Sequence, residues 1–220
     1  IKIPASPEGG YPIRIGADIL GSLWDKIEAD FGNCSKFVVT DDNLVSAGHL
    51  QTLLGDRDIP TFTISPPGEV SKTIDTAVAI IEAMEKAYLG RDTVIVALGG
   101  GTVGDIAGFA AAIVKRGVRV GQLPTTTVAL ADSSVGGKTG VDSTISKNAF
   151  GAFWQPAAIY IDVATLGTLD DRQYRAGLVE SVKHAIIADN EYFDFIENNL
   201  DGILKRELGV LEKMAVFNCG

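Results

Sequence analysis

The sequence predicts an α/β fold: a parallel Rossmann-like sheet with flanking helices, followed by the start of an all-helical second domain. Three observations predict it. Short β-rich apolar runs alternate with segments of helical period through residue 168, the pattern of strands joined by crossover helices. One such run, Thr93-Val94-Ile95-Val96-Ala97-Leu98, leads straight into Gly99-Gly100-Gly101-Thr102-Val103-Gly104-Asp105 and then a helix-like run from Ile106 to Val114. From Asp170 onward no strand-like run recurs.

The elements follow in order. Ile13-Arg14-Ile15-Gly16 reads as a short strand, and Leu20 to Phe31 as an amphipathic helix with Leu20, Leu23, Trp24 and Ile27 on one face. Lys36 to Thr40 is a β-rich run ending in the acid pair Asp41-Asp42. Ala47 to Leu54 reads as a short helix, Thr61 to Ile64 as a strand, and Ser65-Pro66-Pro67-Gly68 as a turn. Between Ser71 and Tyr88, the residues Ile74, Ala77, Val78, Ile81 and Met84 recur at helical period, with Gly90 as a stop signal. After the glycine turn, Ile106, Phe109, Ala110 and Ile113 form a buried helix face, and small neighbours allow close packing on a sheet. Arg119 to Leu123 is the next strand, Thr125 to Ala131 a short helix, and Asp132 to Asn148 a long glycine-rich loop. A structured loop of that length in a compact domain points to function. Ala157 to Asp162 is the last strand; Arg172–Ala188, Glu191–Asn198 and Leu200–Phe217 read as helical. The change near Leu166–Leu169 divides an α/β domain, 1–168, from a helical segment, 169–220.

Composition narrows the function. The 220 residues are 46% hydrophobic and 21% charged, which is globular. A net charge of −9 argues against a nucleic-acid surface, which needs a basic stripe. No apolar run reaches the roughly 18 residues of a membrane span, and no basic-then-apolar leader opens the chain. Two cysteines, Cys34 and Cys219, make no disulfide framework, as expected of a cytoplasmic protein. The chain opens at Ile1 without methionine and closes directly after a helical pattern, so a longer protein is expected to supply the rest.

The chemistry sits at strand ends. Gly99, Gly101 and Gly104 satisfy G-x-G-x-x-G between a strand and a helix, where backbone amides can cradle a pyrophosphate. An ordinary dinucleotide site has an acid roughly 20 residues on, closing the next strand. That strand ends instead in Pro124-Thr125-Thr126-Thr127, and Asp41-Asp42 is the better candidate for a ribose. Gly136-Gly137-Lys138-Thr139 lacks the earlier glycine of a P-loop, so Lys138 is read as an anion contact. Asp41, Asn43, Glu69, Lys72, Asp105, Arg116, Asp132, Lys138, Lys147, Asn148, Glu180 and Lys183 gather in the loops after strands and on the first C-terminal helix. Glu180, Lys183 and His184 share one helix face, either as a solvated ion pair or as a metal ligand beside a substrate-binding cation. Zinc needs three or four ligands, and the two histidines, His49 and His184, are far apart in sequence. His49, Trp24 and Trp154 are read as structural.

These motifs resemble the 3-dehydroquinate synthases of the sugar-phosphate cyclase superfamily. The resemblance rests on Pro67-Gly68-Glu69 with Lys72, Gly99 to Asp105, Lys115-Arg116-Gly117, and Pro124-Thr125-Thr126. It continues through Asp132 to Thr139, Lys147-Asn148, Gly151 to Pro156, and Ala176 to Glu180 with Lys183, so it covers residues 40 to 190. It implies that Asp41, Asn43, Glu69, Lys72, Gly100, Gly101, Asp105, Thr125, Thr126, Lys138, Lys147, Thr165, Leu166 and Thr168 hold NAD. It also implies that Glu180 binds a divalent metal, zinc or cobalt, and that Asp132, Lys138, Asn148 and Lys183 face a sugar phosphate. Arg116 would reach that phosphate from the other subunit of a homodimer. The implied reaction converts 3-deoxy-D-arabino-heptulosonate 7-phosphate to 3-dehydroquinate with loss of phosphate, in the shikimate pathway of aromatic amino-acid biosynthesis.

Asp142-Ser143-Thr144-Ile145-Ser146 departs from the Asn-His-Pro that often precedes Gly-Lys-Asn in that family. The resemblance places two zinc-ligand histidines after residue 220, which these residues do not include, so the 220-residue chain is expected to fold its nucleotide domain but not to turn over by itself. Three rivals remain: another sugar-phosphate cyclase, a polyol or glycerol-phosphate dehydrogenase of related architecture, and a non-catalytic nucleotide-binding module.

Overall fold

The computed structural model describes residues 10–188 and 190–220. The first nine residues of the expected first domain lie outside the described residues. In chain order the elements are β1 (Ile13–Gly16), α1 (Leu20–Phe31), β2 (Lys36–Asp41), α2 (Asp42–Ser46), α3 (His49–Leu54), β3 (Thr61–Ile64) and α4 (Ile74–Lys86). Then come β4 (Val94–Gly99), α5 (Gly101–Ile113), β5 (Arg119–Pro124), β6 (Lys138–Val141), β7 (Phe150–Phe153) and β8 (Ala158–Asp162). The helices α6 (Asp171–Ala188), α7 (Asn190–Asn198), α8 (Leu200–Leu204) and α9 (Leu208–Cys219) complete the chain.

Six strands form a parallel sheet in the order β1-β8-β5-β4-β2-β3. Alternation along each strand sends side chains to two faces. Phe37, Val39, Ile95, Ala97 and Val120 pack with Ala77, Ile80 and Met84 of α4 and with Ile106 and Ala110 of α5. Val38, Val94, Val96, Leu98 and Tyr160 pack on the other side with Leu23, Trp24 and Ile27 of α1 and with Leu53. Strands covered on both faces read as continuous apolar runs, which is why β4 was legible. A third core joins Ile13, Ile159 and Ile161 of the β1–β8 edge to Tyr174, Tyr192, Ile203, Leu211 and Met214 of the helical segment.

The structure corrects three sequence readings. The expected loop from Asp132 to Asn148 instead contains β6, which pairs antiparallel with β7 just after it, Gly140 facing Gly151. A Cβ on Gly140 would lie 2.8 Å from the Phe150 carbonyl oxygen, and one on Gly108 of α5 would lie 2.4 Å from Thr139 Cγ2. Glycine here permits close approach of backbones, a use that strand propensity does not register. The short helix expected over Thr125–Ala131 runs over 127–133 instead, widening into a π turn at Ala129–Ser133. The single helix expected over Leu200–Phe217 breaks at Arg206, with φ 59°. The Arg206 guanidinium donates to the carbonyls of Leu166, Gly167 and Leu169, pairs with Asp171 at 2.6 Å and lies over the Tyr174 ring. Those contacts fasten α8 and α9 to the turn between sheet and helices.

Candidate functional site

The order in which successive strands are added reverses between β2 and β4. From β2 the chain moves outward to β3; from β4 it moves the other way, to β5 and then β8. Such a switch point opens a crevice at the carboxyl ends of the strands. A cleft of about 970 Å³ lies there, lined by Asp41 at the end of β2 and by Gly100 and Gly101 after β4.

The glycine turn is itself the first turn of α5, so the helix begins earlier than its apolar pattern suggests. Gly100 stands at the N-cap and no side chain caps the helix. The amides of Gly101, Thr102 and Val103 thus precede the first intrahelical bond, Gly104 N–H to Gly100 O, and stand at the cleft. Side chains are excluded here by space: a Cβ on Gly100 would lie 2.8 Å from Thr126 Cγ2, and one on Gly101 2.9 Å from Ser133 Oγ. The Ser133 hydroxyl oxygen is buried with no partner among the described residues. Free amides at a helix start, with the helix dipole behind them, fit an anion such as a pyrophosphate.

Across the crevice Asp41 caps α2: one oxygen, Oδ1, accepts from the amides of Asn43 and Leu44 at 2.9 and 3.1 Å. Burial pushes its pKa up, and those two amides oppose the rise. Asn43, Glu69, Thr125, Thr126 and Thr168 also line the cleft.

On the remaining side, Lys72 Nζ sits 2.6 Å from Asp105 Oδ2 and donates to Asn148 Oδ1 at 2.6 Å. Burial raises the pKa of Asp105, and the Lys72 ammonium lowers it only in part. Asn148 has φ 52°, and its amide donates to Asp142 Oδ1. The Asp142 amide in turn donates to the Lys72 carbonyl, and Lys147 pairs with Glu69 at 2.8 Å. The hairpin loop is therefore clasped to the segment from Glu69 to Thr73. Asp142, the departure noted in the sequence, organises that clasp.

Lys138 opens β6 and shares a smaller concavity of about 360 Å³ with Asn148, rather than lining the main cleft. Asp132 lies within electrostatic reach of Asp105 on one side and Lys183 on the other. Gln173 and Ala176 of α6 line the cleft, and Glu180 and Lys183 continue that stripe at helical spacing. Gly177 lets α6 approach this closely, since a Cβ there would lie 1.9 Å from Thr127 Oγ1. Glu180 is ion-paired with Lys183, and its hydrogen bond raises the lysine pKa. Among the described residues no three His, Cys, Asp or Glu side chains converge on a point, so Glu180 by itself does not make a metal site.

The remaining candidates lie elsewhere. Leu166 is fully buried in the core shared with the helices, and the Thr165 hydroxyl donates to the Asp162 carbonyl. Of that turn, Thr168 alone among the three candidates lines the cleft. Arg116 follows the 13 residues of α5, which carry the chain about 20 Å away from the cleft to the opposite, amino-terminal end of the central strands. It is exposed, with φ 66° beside Lys115 at φ 50°. Thr102, Ser133, Asp170 and Gln173 line the cleft without having been singled out. Periodicity on α6 could have suggested Gln173; nothing in the sequence marks Ser133 apart from its glycine-rich surroundings.

The family described as 3-dehydroquinate synthase N-terminal matches residues 62–176, just over half of the chain. The chain is 44% identical over 215 residues to the 3-dehydroquinate synthase of Ruminiclostridium cellulolyticum, covering 96% of this chain and 60% of that protein. It is 42% identical to that of Acidithiobacillus ferrooxidans, with 95% and 58% covered. Among solved structures it resembles 2-epi-5-epi-valiolone synthase from Streptomyces hygroscopicus, which holds NAD+ and Zn2+, at TM-score 0.83 and 26% identity over 99% of this chain and 61% of that one. It also resembles a 2-deoxy-scyllo-inosose synthase complexed with carbaglucose-6-phosphate, NAD+ and Co2+, at TM-score 0.79 and 26% identity, with 99% and 63% covered. An iron-containing alcohol dehydrogenase at 18% identity and TM-score 0.75 shares the fold. The chain spans about three fifths of the length of the curated relatives it matches. With the strand-turn-helix start, the clasped hairpin and the α6 stripe in place, the matched segment assigns the chain to a family: it belongs to the 3-dehydroquinate synthase N-terminal family.

Proposed function

We propose that this chain is the NAD-binding portion of a 3-dehydroquinate synthase that converts 3-deoxy-D-arabino-heptulosonate 7-phosphate to 3-dehydroquinate and phosphate. The observation that carries the reading is the uncapped start of α5, open on the crevice between β2 and β4 and faced by the Asp41 carboxylate. The α5 amides, with Gly100 and Gly101 clearing the way, would hold the pyrophosphate of NAD; Asp41 would accept from a ribose hydroxyl. Thr125, Thr126, Asn43 and Thr168 would complete the cradle. NAD supplies a reversible hydride acceptor for one substrate hydroxyl, which leaves the overall reaction redox-neutral.

The chain's own residues would do the rest. Lys72 would help hold NAD, and Lys138 and Lys183 would present ammonium groups toward the substrate side, where negative charge on oxygens and phosphate must be stabilised. Asn148 and Asp132 would orient hydroxyls. In a homodimer, Arg116 of one subunit would reach the phosphate in the other. Glu180 would offer one ligand to a divalent ion of the kind held by the two solved cyclases, zinc or cobalt. The described residues do not complete that shell, and no step is assigned to the metal. Participation in the shikimate pathway and a cytoplasmic location belong to the same proposal; among the described residues no helix is long and apolar enough to cross a membrane.

Identities of 38–44% to 3-dehydroquinate synthases favour this cyclase over the sister cyclases at 26%. Calorimetric titration with NAD+ and an assay of phosphate release from several sugar phosphates test the proposal together. The expected outcome is saturable NAD+ binding with no turnover by the 220-residue chain alone. Failure to bind NAD+ refutes the cofactor assignment, and robust phosphate release from these residues refutes the view that the catalytic shell is incomplete.

A further inference from the structure

The ring of His49 has a part at the cleft that its sequence context does not suggest, and the inference rests on the nucleotide reading above. His49 opens α3, yet its Nε2 lies 2.6 Å from Thr168 Oγ1, across 119 positions of chain. Thr168 Oγ1 is also 3.1 Å from the Thr165 carbonyl oxygen. A hydroxyl has one hydrogen, and a carbonyl oxygen can only accept. The Thr168 hydrogen therefore goes to Thr165, and the His49 Nε2–H donates to Thr168. Burial lowers the His49 pKa from 6.5 despite the opposing field of Asp162, so near neutral pH the ring carries a single hydrogen, which this bond holds at Nε2.

Thr168 is exposed and lines the cleft, as do Ser46 and Ala47 just ahead of α3. With its hydrogen committed and one lone pair taken by His49, its hydroxyl keeps one lone pair for the cleft. We propose that His49 is a positioning residue: by donating to Thr168 it keeps the hydroxyl hydrogen on the Thr165 carbonyl and turned from the cleft, which leaves Thr168 a hydrogen-bond acceptor for a neutral donor of the bound dinucleotide, either the adenine amine or a ribose hydroxyl. A phosphate oxygen gains nothing there, whereas the amides at the start of α5 favour it. The two ends of the cleft thus differ in polarity, and the difference sets which way round the dinucleotide lies.

Calorimetry with NAD+ on the parent chain, His49→Ala and His49→Gln tests this, alongside melting temperatures. Without that hold the hydroxyl is free to turn its hydrogen toward the cleft, which should weaken NAD+ binding by about three- to tenfold in His49→Ala. The Gln variant, whose amide N–H reaches a similar point, should recover most of it, and all three should melt alike. Nitrogen NMR of the free chain should show His49 as the Nε2–H tautomer, with His184→Gln assigning the signals. NAD+ with the adenine amine replaced by a carbonyl separates the two donors. If the amine is the partner, His49→Ala costs that analogue nothing further; if a ribose hydroxyl is, both dinucleotides weaken alike. A parent chain that binds NAD+ beside an unimpaired His49→Ala overturns this inference alone, as does an Nδ1–H tautomer or a Gln variant no better than Ala. A parent chain that takes up no NAD+ overturns it together with the nucleotide reading.

Discussion

Replacing Lys72 with Met keeps the apolar stem and removes the ammonium from the pair with Asp105. Both partners are well covered, with side-chain exposures of 7% and 18%, and their atoms stand 2.6 Å apart. Removing one partner of a buried ion pair typically costs about 3–5 kcal/mol, because the other charge stays buried without compensation. Asp105 has an escape, which is to take up a proton. Burial already raises its pKa from 3.8, against the pull of Lys72. Neutralising a carboxyl costs about 1.4 kcal/mol for each pH unit above its unfolded value, so roughly 4 kcal/mol at pH 7 and under about 2 kcal/mol at pH 5. The cheaper route sets the loss. Lys72→Met should therefore lose about 3–4 kcal/mol at pH 7 and no more than about 2 kcal/mol at pH 5. The sign follows from proton counting. Where the folded pKa exceeds the unfolded one, the native state holds the extra proton, and stability falls as pH rises above 3.8 toward the folded value. Urea unfolding followed by circular dichroism at several pH values measures this. The double variant Lys72→Met with Asp105→Asn removes the orphaned charge and should return to within about 1 kcal/mol of the parent at pH 7. A loss independent of pH, or no recovery on adding Asp105→Asn, would refute the reasoning.

Other expectations rest on separate features. Asp162 is buried and accepts from the amides of Asp18, Ile19, Leu20 and Ala164, which caps α1 from the end of β8. Asp162→Ala should cost about 3 kcal/mol and speed exchange of the Asp18–Leu20 amides; a loss under about 1 kcal/mol would show that water replaces the carboxylate. Gly177→Ala puts a methyl 1.9 Å from Thr127 Oγ1 and 2.8 Å from the Val128 nitrogen, so α6 must shift. About 2–3 kcal/mol of stability should be lost, and an unchanged melting temperature would contradict the close packing. Gly100→Val brings a side chain against Thr126 and over the α5 amides, so calorimetry should show NAD+ affinity falling at least about tenfold, with a lower melting temperature from the 2.8 Å contact with Thr126. Equal affinity would move the pyrophosphate elsewhere.

The local signals in this chain were the ones that short-range physics controls. Apolar runs such as Val94–Leu98 are long enough to be strands and are covered on both faces, so their burial shows as composition. The glycine turn was legible because a strand precedes it and a helix follows, and the α6 stripe because spacing fixes which side chains share a face. The hairpin was not, since Gly140, Gly151 and Gly108 serve contacts with backbone far along the chain and carry no strand propensity of their own. Partnership between Lys72, Asp105 and Asn148, the clasp through Asp142, and the bond from His49 to Thr168 join residues separated by tens of positions. Only the order of strands brings those loops to one crevice, while Arg116 lies at the opposite, amino-terminal end of the strands. By itself the sequence determined the layers, the glycine turn between strand and helix, and the family. Tertiary structure decided which charges meet, because pairing depends on through-space distance and burial that no sequence spacing encodes.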